Sequence, residues 1–122
     1  MQTYLINLAR RRDRLDAMAA QLGALGVNFT RIEALDAGTA LESEVEEWFD
    51  AGGPLGVLPR GDKCCTLSHR RAWEAFVESG APHAVVLEDD VVLTPGSAAL
   101  LRDGDWIAPD IGLVKLEQYG PP

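Results

Sequence analysis

The chain has 122 residues, a formal net charge of −8 and 47% hydrophobic residues, which is ordinary content for one globular domain with its own core. The acidic balance disfavours a general nucleic-acid binder, because such a protein needs clustered lysines and arginines against phosphates. No apolar run reaches the roughly 20 residues of a membrane span, and no signal-peptide apolar segment precedes the first arginines. We therefore expect one domain, residues 1–122, in the cytoplasm or at the inner face of a membrane. Its two adjacent cysteines, Cys64 and Cys65, are expected to be reduced thiols.

The first third of the chain predicts a strand, a basic turn, a helix and a second strand. Residues 3–8 are the first strand, with Asn7 near its end. The apolar spacing from Arg12 onward predicts a helix that stops near Gly26, and alternation over residues 27–35 predicts the next strand. Four arginines fill the turn and the helix start: Arg10, Arg11, Arg12 and Arg14.

These arginines follow the carboxyl end of a strand, where they suit an anionic ligand such as a diphosphate, through bidentate hydrogen bonds and charge. The alternative is a solvated helix start in which Asp13 and Asp16 are the partners of the arginines.

The middle of the chain predicts two helices separated by a long loop. Residues 41–50 have apolar residues at helical spacing and an acidic face, to which we assign solvation and no chemistry. Glycines and prolines break up residues 52–61, and this loop lacks the ending of a phosphate-binding P-loop. The helix predicted over residues 63–80 has Ser68 and His69 near its start. Adjacent helical side chains diverge by about 100°, so this pair is disfavoured as a hydrolase dyad and favoured for ligand contact or a structural hydrogen bond.

The most concentrated charge follows a short apolar run, residues 84–87, which predicts a strand covered on both faces. Glu88, Asp89 and Asp90 come directly after it, at the strand end where open α/β sheets bind ligands. In an extended backbone, Glu88 and Asp90 would lie on one side and Asp89 on the other. Three adjacent carboxylates favour a hard divalent cation, Mg²⁺ or Mn²⁺. The alternative is a solvated acidic turn.

Beyond the acidic triplet, residues 97–101 predict a short helix and residues 110–117 a further strand. The alternation of strands and helices predicts an α/β domain, with a mostly parallel sheet flanked by helices.

Five stretches in this order resemble glycosyltransferase family 25: INLARRRDR, IEALDA, GDKCCTLSHRRAWE, VVLEDDV and DIGLVKLE. The family contains lipopolysaccharide biosynthesis enzymes and is related to the collagen galactosyltransferases. The resemblance implies a GT-A-like (Rossmann-like) nucleotide-sugar-binding domain and a metal-dependent, inverting glycosyltransferase. Its partners would be a nucleotide-diphosphate sugar donor, most simply a UDP-sugar, and a saccharide acceptor of the lipopolysaccharide or lipooligosaccharide type.

The resemblance also suggests roles for individual residues. Asp89 and Asp90 would hold the divalent metal, and Asp36 is a weak candidate for the general base. The nucleotide-sugar would contact Asn7, Arg10, Arg14, Ser68, His69, Glu88 and Asp89.

The chain departs from the family pattern at Lys63 and Cys64, where the family has an apolar residue and a glycine. Family members are also longer, so we expect the N-terminal, nucleotide-binding part of a domain shortened at its C-terminus. Two alternatives follow. One is a non-catalytic nucleotide-binding or interaction module. The other is a receiver-like phosphoryl-transfer domain, which would normally have an acidic pair after its first strand, where this chain has Asn7 and arginines.

Overall fold

The computed structural model describes residues 1–54 and 56–117, so the predicted domain's last residues, 118–122, and Leu55 of the predicted loop lie outside the described part. Its fold is α/β, as the sequence predicted. The strands and helices in chain order are β1 (Gln2–Asn7), α1 (Arg12–Ala24), β2 (Thr30–Glu33), α2 (Glu42–Glu46), α3 (Arg60–Ser79), β3 (Ala84–Glu88) and α4 (Ser97–Arg102).

The three strands form an open parallel sheet in the order β2-β1-β3. The central strand, β1, aligns Tyr4 with Thr30 of β2 and with Val86 of β3. Parallel pairing requires a crossover between successive strands, and helices provide it here. All three carboxyl ends therefore meet at one edge of the sheet, which we call the carboxyl edge.

Side chains alternate between the two faces of the sheet along the central strand, and a helix covers each face. Leu5 lies on one face and is fully buried with Met18 and Leu22 of α1. Tyr4 and Ile6 lie on the opposite face, where α3 packs through Ala72. The continuous apolar run in β1 thus reflects burial on two sides.

Helix α2 packs on α3 through Val45 and Leu67. Three acids of the predicted solvated face are ion-paired, which the sequence did not predict: Glu42 with Arg60, Glu44 with Arg71 and Glu46 with Lys63. The Glu46 carboxylate lies 2.7 Å from the Nζ of Lys63, a side chain that is only 9% exposed. The acidic face of α2 therefore binds α3 through ion pairs.

Several predicted elements differ from those in the structure. Only residues 30–33 of the second strand pair with β1, so β2 is shorter than residues 27–35. Helix α3 begins at Arg60, whose guanidinium donates to the carbonyl oxygens of Ala37 and Ala40. The strand predicted over residues 110–117 is absent, because alternation alone supplies no partner for the backbone and no described strand pairs with this segment.

Among the described residues, none of the helices combines the length and the apolar character needed to span a bilayer.

Candidate functional site at the carboxyl edge

Asn7 is the last residue of β1 and is 1% exposed. Its Nδ2 donates to Asp89 Oδ2 at 2.7 Å and to the Arg11 carbonyl oxygen at 3.1 Å. Its Oδ1 accepts from Arg31 Nε at 3.0 Å. A buried amide needs such partners, and here they join the end of β1 to the basic turn, β2 and the acidic triplet.

One side of the carboxyl edge, the α1 side, consists of Asn7, Arg14, Asp89 and Asp90. Arg14 NH1 lies 3.2 Å from Asp89 Oδ1 and 3.7 Å from Asp90 Oδ2. The Asp89 side chain is 11% exposed, whereas that of Asp90 is 57% exposed. Both acids therefore share one arginine, and Asp90 has most of its surface open to solvent.

The other side, the α3 side, consists of Cys65, His69 and Glu88. Glu88 Oε1 lies 2.8 Å from His69 Nε2 and accepts a weaker hydrogen bond from Cys65 Sγ at 3.6 Å. Cys65 and His69 are four residues apart on α3, so they lie on the same helical face. Burial, and next the negative charge of Glu88, raise the pKa of the Cys65 thiol.

The predicted alternation along the acidic triplet is wrong, because β3 ends at Glu88 and the chain turns at Asp89 and Asp90. The turn sends both aspartates toward α1, while Glu88 stays with α3. The triplet therefore contributes Glu88 to the α3 side and both aspartates to the α1 side.

Ser68 is 2% exposed and links α3 to the segment after β2. Its hydroxyl donates to the Cys64 carbonyl oxygen at 2.7 Å and accepts from the Leu35 backbone N–H at 2.9 Å. The single hydroxyl proton is thus used within the protein. This arrangement matches the structural hydrogen bond that was one of the two roles predicted for Ser68, and it separates Ser68 from His69 as a catalytic pair.

Arg10 of the basic turn and Asp36 of the segment after β2 form an ion pair at this edge. Arg10 Nε donates to Asp36 Oδ2 at 2.7 Å, and the Gly38 backbone N–H donates to Asp36 Oδ1 at 2.9 Å. The backbone hydrogen bond, followed by that from Arg10, lowers the pKa of the Asp36 carboxyl. A carboxylate with a lowered pKa is a weaker proton acceptor, which favours a binding or structural role for Asp36.

An open cleft of about 270 Å³ connects the two sides. Its polar lining includes residues from the basic turn, the segment after β2, α3 and the end of β3: Arg10, Asp36, Cys65, Ser68, Glu88 and Asp89. Four predicted site residues are not in the lining: Asn7, Arg14, His69 and Asp90. Asn7 and Arg14 contact Asp89, and His69 contacts Glu88.

Two residues of this site were missed by the sequence reasoning. Arg31 gave no local signal, because its contact with Asn7 depends on the pairing of β2 with β1. Cys65 did give a signal, since its four-residue spacing from His69 on a predicted helix places both side chains on one face.

In open α/β sheets, ligands bind in the crevice at the carboxyl ends of the strands, so the parallel sheet and the cleft at its carboxyl edge define the class of α/β ligand-binding domains. A model of glycosyltransferase family 25, described as lipopolysaccharide biosynthesis protein, matches residues 1–119. The chain belongs to this family.

Curated relatives point the same way. The chain is 32% identical over 107 residues to the lacto-N-neotetraose biosynthesis glycosyltransferase LgtB of Neisseria gonorrhoeae, covering 88% of this chain and 38% of that protein. It is 25% identical over 104 residues to the lipooligosaccharide biosynthesis protein lic2B of Haemophilus influenzae, covering 85% and 39%. It is also 33% identical over 98 residues to the probable inactive glycosyltransferase 25 family member 3 of Bos taurus, covering 74% and 16%. The chain therefore spans well under half the length of these relatives.

Proposed function

We propose that this chain is the nucleotide-sugar-binding part of a glycosyltransferase that moves a sugar from a nucleotide-diphosphate donor to a saccharide acceptor. One observation carries the proposal beyond family membership. Asn7 and Asp89 belong to separate family motifs, 82 residues apart in sequence, and their side chains are hydrogen-bonded at 2.7 Å beside one cleft. The names of the bacterial relatives support a lipooligosaccharide-type acceptor.

The donor's diphosphate would bind at the mouth of the cleft, near the basic turn. Arg10 is suited to this role because its side chain is 63% exposed and only its Nε is used by Asp36. Its terminal nitrogens can then meet phosphate oxygens in a bidentate fashion. Glu88, on the other wall of the cleft, would accept hydrogen bonds from ribose hydroxyls. A UDP-sugar is the donor we propose.

A hard divalent cation, Mg²⁺ or Mn²⁺, fits the oxygen donors on the α1 side. Asp90 would be the main ligand, because its carboxylate is more than half exposed and its nearest cation is 3.7 Å away. Asp89 would contribute less, since Asn7 and Arg14 already bind its two oxygens. When bound, the cation would stabilise negative charge on the diphosphate leaving group during inverting transfer.

The chain's own residues would hold the donor and offset the repulsion between the two adjacent carboxylates. Arg14 supplies positive charge between Asp89 and Asp90, which lowers the cost of having two adjacent carboxylates near a diphosphate. The Asn7 amide fixes the Asp89 carboxylate from the buried side. The cytoplasmic location remains a prediction, and it agrees with the supply of nucleotide sugars that such a reaction needs.

Calorimetric titration of UDP into the chain tests the proposal. We expect binding with Mn²⁺ and little binding in chelator. Asp90→Asn should weaken binding about tenfold or more, because it removes one ligand charge with almost no change in shape. Glu47→Gln is the matched control, since Glu47 is an exposed acid at the end of α2. Equal affinity of wild type and Asp90→Asn would reject the metal assignment, and no UDP binding under any condition would favour the non-catalytic module.

A further inference from the structure

The α3 side contains a mixed set of donor atoms, of which only Glu88 has a role in the proposed sugar transfer. Cys65, His69 and Glu88 each offer one ligand atom, and these sulfur, nitrogen and oxygen atoms all lie within 4.8 Å of one another. Two of the residues come from one face of α3 and the third from the end of β3. Sequence-distant elements thus bring together three different metal-binding groups.

We propose that Cys65, His69 and Glu88 form a binding site for a borderline-soft divalent metal, for which Zn²⁺ is the model. This site goes beyond the proposed function, because it is separate from the Asp89 and Asp90 oxygens and needs no nucleotide. Thiolate and imidazole select Zn²⁺ and similar ions over Mg²⁺, which takes oxygen ligands.

Two of the three donor–donor distances are close to those around a tetrahedral ion, and the third, between Cys65 and His69, is at most 4.8 Å. Metal–ligand bonds of about 2.0–2.3 Å place tetrahedral ligands about 3.3–3.8 Å apart. The Cys65 Sγ to Glu88 Oε1 distance of 3.6 Å already falls in this range, and the His69 Nε2 to Glu88 Oε1 distance of 2.8 Å would open by about half an ångström. Rotation of partly exposed side chains can supply this change, since Glu88 is 48% and His69 29% exposed.

The site has three protein ligands and faces the cleft, which both Cys65 and Glu88 line. Zinc sites that serve only structure are closed by four protein ligands, whereas three ligands leave a position for water or for an oxygen of a bound molecule. The fourth position here would open into the cleft, so the metal would be exchangeable from solvent.

The adjacent cysteine provides a matched control within the same helix. Cys64 is 2% exposed and packs with Val45 and Leu67 between α2 and α3. It borders the same cleft, but its sulfur is not one of the three clustered donor atoms. Cys64→Ser and Cys65→Ser therefore make the same chemical change at neighbouring positions, one outside the proposed site and one inside it.

Titration of Co²⁺, followed by thiolate-to-cobalt absorption, and competition by Zn²⁺ test the proposal on the reduced, nucleotide-free chain. We expect one ion per chain, with the absorption band present in wild type and Cys64→Ser and absent in Cys65→Ser. His69→Gln should weaken Zn²⁺ binding about 100-fold or more, since loss of even an outer-shell partner costs 10–100-fold. Mg²⁺ should not compete.

A second readout keeps the test valid if one variant folds poorly. Zn²⁺ should slow the reaction of Cys65 with a thiol reagent in wild type and leave that reaction unchanged in His69→Gln. Absence of the band in wild type, or equal Zn²⁺ affinity of wild type and His69→Gln, would overturn the site. Asp90→Asn should retain Zn²⁺ binding while its metal-dependent UDP binding is weakened, so failure of this site and failure of the proposed function give different results.

Discussion

The two sides of the carboxyl edge provide different kinds of partner for carboxylates that are adjacent in sequence. On the α1 side, Arg14 and the Asn7 amide already bind both Asp89 oxygens. On the α3 side, Glu88 meets a thiol and an imidazole, with no lysine or arginine ion-paired to it among the described residues. The acids of the α1 side thus share one protein cation, Arg14, whereas the acid of the α3 side contacts two side chains that can bind a metal ion. Adjacent positions in a sequence motif therefore do not share one chemistry.

The largest effect that would test this comparison is loss of the buried amide on the α1 side. Asn7→Ala should lower the free energy of unfolding by about 2–4 kcal/mol, because Arg31 and Asp89 would each lose a hydrogen-bond partner at a buried position. Urea denaturation measures the change. Asn28→Ala, at an exposed position before β2, should be nearly neutral. A loss no larger in Asn7→Ala than in Asn28→Ala would show that Asn7 does not organise the edge.

A smaller effect is expected from the arginine that the two aspartates share. Arg14→Gln should destabilise the chain by about 1 kcal/mol, because Asp89 is mostly buried but Arg14 is 38% exposed and solvent screens the pair. Arg12→Gln, an exposed arginine of the same helix, is the matched control and should change the urea midpoint little. If both variants have the same midpoint, the α1 side does not depend on a protein cation.

The smallest expected effect is a dependence of stability on pH, which comes from the exposed ion pairs that the arginines of the basic turn make with Asp13 and Asp36. Arg11 holds the pKa of Asp13 at about 2 instead of 3.8, and the pKa of Asp36 is lowered by Gly38 and Arg10. Because both folded pKa values lie below the unfolded ones, their contribution is present above about pH 4 and is lost as the pH falls through the folded pKa values. Melting temperatures between pH 5 and pH 2 should therefore decline on acidification.

Asp13→Asn provides the control for this decline, because it removes the strongest shift. Its melting temperature should change less than that of wild type between pH 4 and pH 2. An identical profile for the two proteins would place the acid sensitivity elsewhere in the chain.

Most of the fold could be predicted from the sequence, because the elements that formed depend on local patterns. The apolar run of β3, the helical spacing of α1 and α3 and the basic turn each report burial or backbone preference within a few residues. Residues 110–117 show where this reasoning fails. Their alternation resembles that of a strand, but a strand also needs a neighbour for its backbone hydrogen bonds, and only the tertiary arrangement supplies one.

The sequence by itself determined which groups at the strand ends lie at the carboxyl edge, since strand ends and their turns are local features. It placed Asn7, the arginines and the acidic triplet there without knowledge of their partners. Only the tertiary structure decided how they pair: the turn at Asp89 sends two aspartates to Arg14 and leaves Glu88 with Cys65 and His69. The physical reason is that a carboxylate's partner depends on side-chain direction and on distances of 3–4 Å between distant segments, which no local pattern encodes.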